Sequence, residues 1–308
     1  GSCATAPSAP RAEILWDEWG VPHIFARSDN DLFYALGWAS MQNHAPLMLR
    51  HYGEARGRAA EYWGEAHLES DVQIRTLRIP ARAEQWLGLQ TPDFRAKLDA
   101  FVAGVNAYAA ANPEAIPEDV RVVLPVRTVD LLMHQQRSGV LPFAFADLAS
   151  TVQQWAAAER GSNAWAIGPE HSASGAAMLL MNPHIPWGEE VFGGLFRVFE
   201  VDLHAPGFQF YGGLQVGSPF PAGGFSERHA ISGTVNTLDD VDTYELTLAD
   251  GGYMLDGVRR EFETEHAQIL VREDGGRLAP HTTTIRWSVH GPVIAERAHQ
   301  WDGGGAVV

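Results

Sequence analysis

The most constraining feature of this 308-residue chain is a change of hydrophobic texture at Gly161-Ser162. Before that point apolar residues recur mostly at helical spacing. Asp29 or Asn30 can cap a helix that carries Leu32, Phe33, Leu36, Trp38, Met41, Leu47 and Met48 as far as about Arg56, with a kink expected at Pro46. Thr91-Pro92-Asp93 opens another, on which Phe94, Leu98, Phe101, Val105 and Tyr108 trace one apolar face up to Asn112-Pro113. A helical tract over residues 129–136 is expected to run into an apolar loop around Leu141-Pro142-Phe143. The exception is residues 12–26, which read as two short strands broken at Gly20-Val21-Pro22.

After Ser162 the pattern shortens. Residues 163–167, 177–181, 195–203, 244–248 and 282–289 alternate or run apolar over strand lengths between Gly and Pro turns. Residues 148–160 are helix-prone but partly polar and suit an exposed connector. The chain is therefore expected to be α+β, helical first and strand-rich second.

Composition removes several functions. With 45% apolar residues, 10 Trp and 14 Phe, the chain can bury a large core, so disorder is not the default. The excess of 38 acidic over 22 basic residues gives a formal charge of −16, which disfavours nucleic acid or an anionic membrane surface as partner. Cys3 is the only cysteine, so neither an internal disulfide nor a cysteine zinc site can form, and the histidines are scattered without ligand spacing. No apolar run is long enough to span a bilayer. The Gly-x-Ser-x-Gly elbow, the His-Glu-x-x-His zinc helix and the phosphate-binding Gly-x-x-x-x-Gly-Lys-Ser loop are all missing from the sequence.

What remains is Gly161-Ser162-Asn163-Ala164-Trp165, a Gly-Ser pair at the start of a strand. It resembles the processing site of the penicillin acylase family of N-terminal nucleophile (Ntn) hydrolases, which also includes acyl-homoserine-lactone, lipopeptide and cephalosporin acylases. Upstream, Asp17-Glu18-Trp19-Gly20-Val21-Pro22-His23-Ile24 resembles the family's opening strand, and residues 57–64 its Gly-Arg-x-Ala-Glu-x-x-Gly segment. Downstream, Asn182-Pro183-His184, Gly233-Thr234-Val235-Asn236 with Asp239-Asp240-Val241-Asp242, and His290-Gly291-Pro292-Val293 fall in the family's order. One departure is Asn43-His44, where many members carry Asp-Arg; it puts a buried structural ion pair there in doubt.

The resemblance implies a four-layer αββα Ntn-hydrolase sandwich made by two chains from one precursor. Residues 11–148 would form the α chain, 149–161 a spacer, and 162–308 the first part of a β chain that continues beyond Val308. Residues 1–10 would be a flexible tail. Gly1-Ser2-Cys3 followed by small residues and prolines resembles the processed start of a bacterial lipoprotein, with an expression scar as the alternative. A periplasmic or secreted location, lipid-anchored through Cys3 in the first case, is the corresponding expectation.

The chemistry follows from the residues. A serine hydroxyl is a weak nucleophile until a base takes its proton. An α-amino group titrates at about pKa 8, so a serine at a chain start carries a general base on its own backbone. Gly161 suits the cleavage that frees that amine, because it tolerates strained backbone while Ser162 attacks its carbonyl. By resemblance, the backbone N–H of Val235 is one oxyanion donor, an asparagine beyond Val308 the other, and His184 assists at the nucleophile. Ile185, Trp187 and Phe220 would line an apolar acyl pocket. Catalysis needs no cofactor; Asp239, the Val241 carbonyl and Asp242 match a stretch that binds structural calcium in some members.

Blander readings stand beside these. A Gly-Ser pair alone is most often a surface turn, His184 between Pro183 and Pro186 a turn histidine, Val235 a core strand residue, and the Asp239 run a solvated turn. The expected reaction is hydrolysis of an amide joining an apolar acyl group to a β-lactam, homoserine-lactone or lipopeptide amine. The alternatives are a catalytically silent binding or assembly module, and a conventional serine hydrolase using His184 with an Asp239-type carboxylate.

Overall fold

In the computed structural model, residues 12–144, 161–185, 192–234, 242–299 and 303–307 are described. Cys3, most of the spacer, Trp187, Val235, Asp239 and Val241 lie outside them.

The first strands form as the sequence suggests: β1 (Ala12–Trp16) and β2 (Pro22–Ala26) pair antiparallel across a turn in which Asp17 accepts from the amides of Trp19 and Val21. Helix α1 (Asp29–Ala55) is capped by Ser28, whose Oγ accepts from the Asp31 amide, and not by Asp29 or Asn30. Its backbone departs from helical geometry at His44 (φ −134°), two residues before Pro46. The proline ring crowds the preceding turn and removes its bond to the Gln42 carbonyl, so the distortion falls ahead of it. At this site a half-buried His44 imidazole rests on Phe199, and burial together with the charge of Arg197 lowers its pKa to about 4. A neutral ring thus stands where many relatives would place the arginine of an ion pair.

Four helices follow: α2 (Ala59–Trp63), α3 (Leu68–Thr76), α4 (Ile79–Leu89) and α5 (Pro92–Ala111), the last capped by Thr91 as expected. The Gly-Arg-x-Ala-Glu segment proves structural. Gly57 and Gly64 have φ of +64° and +100°, and the carboxylate of fully buried Asp71 accepts from the amides of Ala59 and Ala60. After α6 (Glu118–Arg121), helix α7 (Thr128–Ala144) runs straight through the expected loop at Leu141-Pro142-Phe143. That expectation is corrected: Pro142 sits in the last turn, where it removes a single intrahelical bond, so the helix tolerates it.

Helices α1 and α5 are the backbone of the core, and each brings a glycine against the backbone of the other. A Cβ on Gly37 would lie 2.0 Å from the Phe101 carbonyl oxygen, and one on Gly104 would lie 1.9 Å from that of Tyr34. Ion pairs join α7 to the C-terminal end of α1. Arg56 meets the fully buried Asp130 through Nε (3.0 Å) and Nη2 (2.6 Å), and Arg137 Nη2 stands 2.6 Å from Glu54 Oε2.

Beyond Ser162 come β3 (Ser162–Ile167), β4 (Met178–Pro183), β5 (Val198–Ala205), β6 (Phe208–Gln215), β7 (Pro221–Phe225) and β8 (Ala230–Ser232). A six-stranded sheet has the order β1-β2-β5-β6-β7-β8, antiparallel except for the parallel pair β2–β5. One sheet therefore takes strands from both sides of Ser162. Ile24, Val201, Leu203, Phe210 and Leu214 turn one face toward α1 and share its core, which is why residues 12–26 had to be strands in a helical half. On the other face Leu15, Phe25 and Phe225 are exposed.

The rest is sheet: β9 (Glu245–Ala249), β10 (Gly252–Leu255) and β11 (Val258–Arg260) join β14 (Ala295–His299) and β15 (Gly303–Val307), while β12 (Glu263–Arg272) and β13 (Leu278–Trp287) form a long hairpin against α2 and α3. Mixed helix and sheet is thus observed, as the sequence implies.

Candidate active site

Ser162 is the first residue of β3, and its strand pairs only with β4 among the described residues. The hairpin has the register Ser162↔Pro183, Asn163↔Asn182 and Trp165↔Leu180. Its apolar side chains are largely bare: Trp165, Leu180 and Met178 are 55%, 52% and 48% exposed. The strand forms because Trp165, Ile167, Leu179 and Leu180 are good strand residues, and Gly175 with φ +69° turns the chain between its arms.

At the hairpin's open end lies the Gly161–Ser162 bond. Gly161 has φ +146°, a conformation side-chain-bearing residues seldom adopt, although a Cβ there would meet no atom within 4 Å. The glycine is needed for its backbone and not for space. Ser162 Oγ donates to the carbonyl oxygen of Gly161 at 2.6 Å, so the hydroxyl lies beside the carbonyl it would have to attack. From the opposite arm, the backbone amide of His184 donates to Ser162 Oγ at 3.3 Å.

His184 approaches the nucleophile through its backbone. Its amide, not its ring, reaches the serine. The imidazole instead meets the side chain of Asn163, with Nδ2 and Nε2 3.1 Å apart. Strand alternation explains this: paired residues share a face, so Ser162 sits with Pro183, and Asn163 with Asn182 and, one step on, His184. A histidine base on Ser162, as a conventional serine hydrolase requires, is not what this geometry offers.

Of the remaining expected site residues, Ile185, Phe220 and Asp242 are among the described ones. Ile185 is half-buried directly after His184. Phe220 stacks on Phe94 of α5, ring centroids 5.9 Å apart, and packs against the main core. Asp242 is exposed, and among the described residues no three His, Cys, Asp or Glu side chains cluster as a metal site. Asp239 and Val241, the other expected calcium donors, lie outside the described residues. Sequence reasoning passed over Asn163 as a contact of its own. The signal was its parity with Asn182 and His184, legible only once the register of the hairpin is known.

The sequence profile of the penicillin amidase family matches residues 11–307. Two acyl-homoserine lactone acylases PvdQ are similar: that of Pseudomonas fluorescens is 30% identical across 96% of this chain, and that of Pseudomonas syringae pv. syringae 31% identical across 96%. A penicillin acylase 2 proenzyme from a Pseudomonas species is 28% identical across 94% of the chain. The chain spans 42% of the length of the first two and 44% of the third. A solved thermostable penicillin G acylase from Alcaligenes faecalis is 26% identical and superposes with a TM-score of 0.38 over 48% of this chain and 80% of that one.

Proposed function

Because this chain belongs to the penicillin amidase family, as the match over residues 11–307 shows, we propose that it carries the nucleophile of a self-processing acylase. The substrate is an amide between an apolar acyl group and an amine, of the N-acyl-homoserine-lactone kind. The observation that carries this reading is the placement of Ser162 Oγ 2.6 Å from the Gly161 carbonyl oxygen, under an amide donor from His184.

In the processing step Ser162 Oγ attacks the Gly161 carbonyl carbon. The Oγ proton passes to the peptide nitrogen as the C–N bond breaks and an ester C–O bond forms, and water then hydrolyses the ester. The products are a Gly161 carboxylate and a free Ser162 amine. In turnover that amine takes the Oγ proton, Oγ adds to the substrate carbonyl, and the proton passes to the departing amine. Water releases the acyl group by the reverse sequence. Val235 N–H is the proposed oxyanion donor.

The finer architecture belongs to the same proposal: an α chain up to residue 148, a spacer of residues 149–161, a β chain from Ser162, and a four-layer αββα sandwich. Two observations support it. One sheet draws strands from both sides of Ser162, and its outer face leaves Leu15, Phe25 and Phe225 bare, as a face covered by a second layer would. The named acyl-homoserine lactone acylases favour a lipophilic acyl chain for the pocket of Ile185, Trp187 and Phe220. A calcium ion at Asp239, Val241 and Asp242, and a periplasmic or secreted site of action, complete the reading; no step runs through the metal.

The test is to express the full-length protein and its Ser162→Ala variant, determine the mass of each product, and assay both on a panel of acyl-homoserine lactones, acyl peptides and β-lactams. The wild type should show a break before Ser162 and release amine fastest from long acyl chains; the variant should do neither. An intact wild-type chain that turns over these amides would refute the proposal.

A further inference from the structure

We infer that Asn163 is a positioning residue for the Ser162 reaction: its side chain clips the His184 ring and so holds the His184 backbone N–H against Ser162 Oγ. This role rests on the Ser162 reading and adds to it a side chain that acts on the nucleophile only through His184.

The β-ladder of the hairpin ends in an unusual way. β4 finishes at Pro183, which pairs with Ser162 but has no N–H to give the ladder. Residue 184 therefore lies just past the last rung, opposite Gly161. Its amide meets Ser162 Oγ at 3.3 Å, near the long limit for a hydrogen bond. A donor so loosely held is useful to a nucleophile only if something else fixes the residue that bears it. The side-chain bond between Asn163 and His184, at 3.1 Å, is placed to do this. Asn163 is bonded covalently to Ser162, so the clip ties the donor to the strand that carries the nucleophile. It does so from the face of the hairpin opposite Ser162.

The chemistry of the clip is specific. If Asn163 Nδ2 donates, His184 Nε2 must be the unprotonated nitrogen and Nδ1 the protonated one. An amide oxygen in the same place would accept from the other tautomer. Either way two polar groups, one on each arm, close the hairpin end beside the Gly161–Ser162 bond. An aspartate in place of Asn163 could play the same part by accepting from Nε2–H; an alanine could not.

The experiment compares Asn163→Ala, Asn163→Asp, His184→Ala and the Asn163→Ala/His184→Ala pair in the full-length protein, reading kcat and KM on an acyl-homoserine lactone and the extent of cleavage before Ser162. Loosening a donor at the nucleophile should lower kcat by roughly tenfold and leave KM within about twofold. Asn163→Asp should recover most of the loss. His184→Ala keeps the backbone amide but loses the ring, so it should match Asn163→Ala, and the double variant should be no worse than either. Wild-type kcat in Asn163→Ala, failure of Asn163→Asp to recover, or additive losses in the double variant would each overturn the inference. Ser162→Ala separates the two levels. If that variant still turns over, the nucleophile reading has failed; if it is dead while Asn163→Ala is unimpaired, only the clip has.

Discussion

Gly37 and Gly104 should reverse the usual effect of alanine in a helix. Replacing a helical glycine by alanine normally stabilises by about 0.5–1 kcal/mol, because alanine restricts the unfolded chain and favours helix. Here the new methyl of Gly37→Ala would fall 2.0 Å from the Phe101 carbonyl oxygen, and that of Gly104→Ala 1.9 Å from Tyr34 O and 3.0 Å from Trp38 N. Neither neighbour is a side-chain end that can swing away; both are backbone of the opposing helix. Reaching ordinary contact requires α1 and α5 to separate by roughly an ångström or more, which opens gaps around Leu36, Leu98, Phe101 and Val105, all buried in the shared core. Overpacking of this kind costs about 1–3 kcal/mol, which outweighs the helix-propensity gain. The two glycines belong to one contact, so once one methyl has parted the helices the second should add less than its own effect. Gly88→Ala is the control, since that glycine is exposed in α4 with no atom within 4 Å of a Cβ, and it should be neutral or gain up to about 1 kcal/mol. Urea unfolding followed by Trp fluorescence and far-UV circular dichroism reads the wild type, the three single variants and the Gly37→Ala/Gly104→Ala pair. Equal or higher stability in Gly37→Ala or Gly104→Ala than in Gly88→Ala would show that the close approach does not hold α1 to α5.

Three further outcomes are expected. Asp130→Ala leaves Arg56 buried without its bidentate partner and should lower the unfolding free energy by about 3–5 kcal/mol, whereas Arg56→Met with Asp130→Leu should lose much less; equal losses would mean the charges themselves hold α1 to α7. Burial pushes the Glu54 carboxyl up, but Arg137 and His51 outweigh it and bring its pKa down to about 2, below the unfolded value near 4.3. Its stabilisation is thus complete above the unfolded value and disappears as pH falls toward 2, so a Glu54→Gln protein should lose stability less steeply than wild type between pH 5 and 2; parallel curves would count against the pair. Gly161→Ala forces a Cβ onto φ +146°, a strain of about 1–3 kcal/mol, and should leave uncleaved precursor visible by mass spectrometry where the wild type is fully processed.

Much of the molecule could be read from the chain alone, and for local reasons. The N-cap at Thr91, the strand pair on either side of Gly20, and the apolar face of α5 are set by residues within a few positions of one another, so spacing revealed them. The Gly-Ser-Asn signature marked the site for the same reason: reactive hydroxyl, scissile carbonyl and permissive glycine are neighbours in sequence. The helix through Pro142 was missed because one local breaker was given more weight than the helix around it. The Ser28 cap lay one residue before the two that were considered.

What the sequence could not decide depends on partners far away along the chain. The parallel pairing of β2 with β5 joins residues 22–26 to 198–205, and no pattern within either strand names the other. The approach of Gly37 to the Phe101 backbone and of Gly104 to that of Tyr34 makes two ordinary helical glycines indispensable only because two helix backbones cross there. The division of labour at the site has the same origin. Residue type made His184 look like a ring that acts on Ser162, but pairing Ser162 with Pro183 turns that ring to Asn163 and brings the amide to the serine, because a one-residue step in a strand exchanges its two faces.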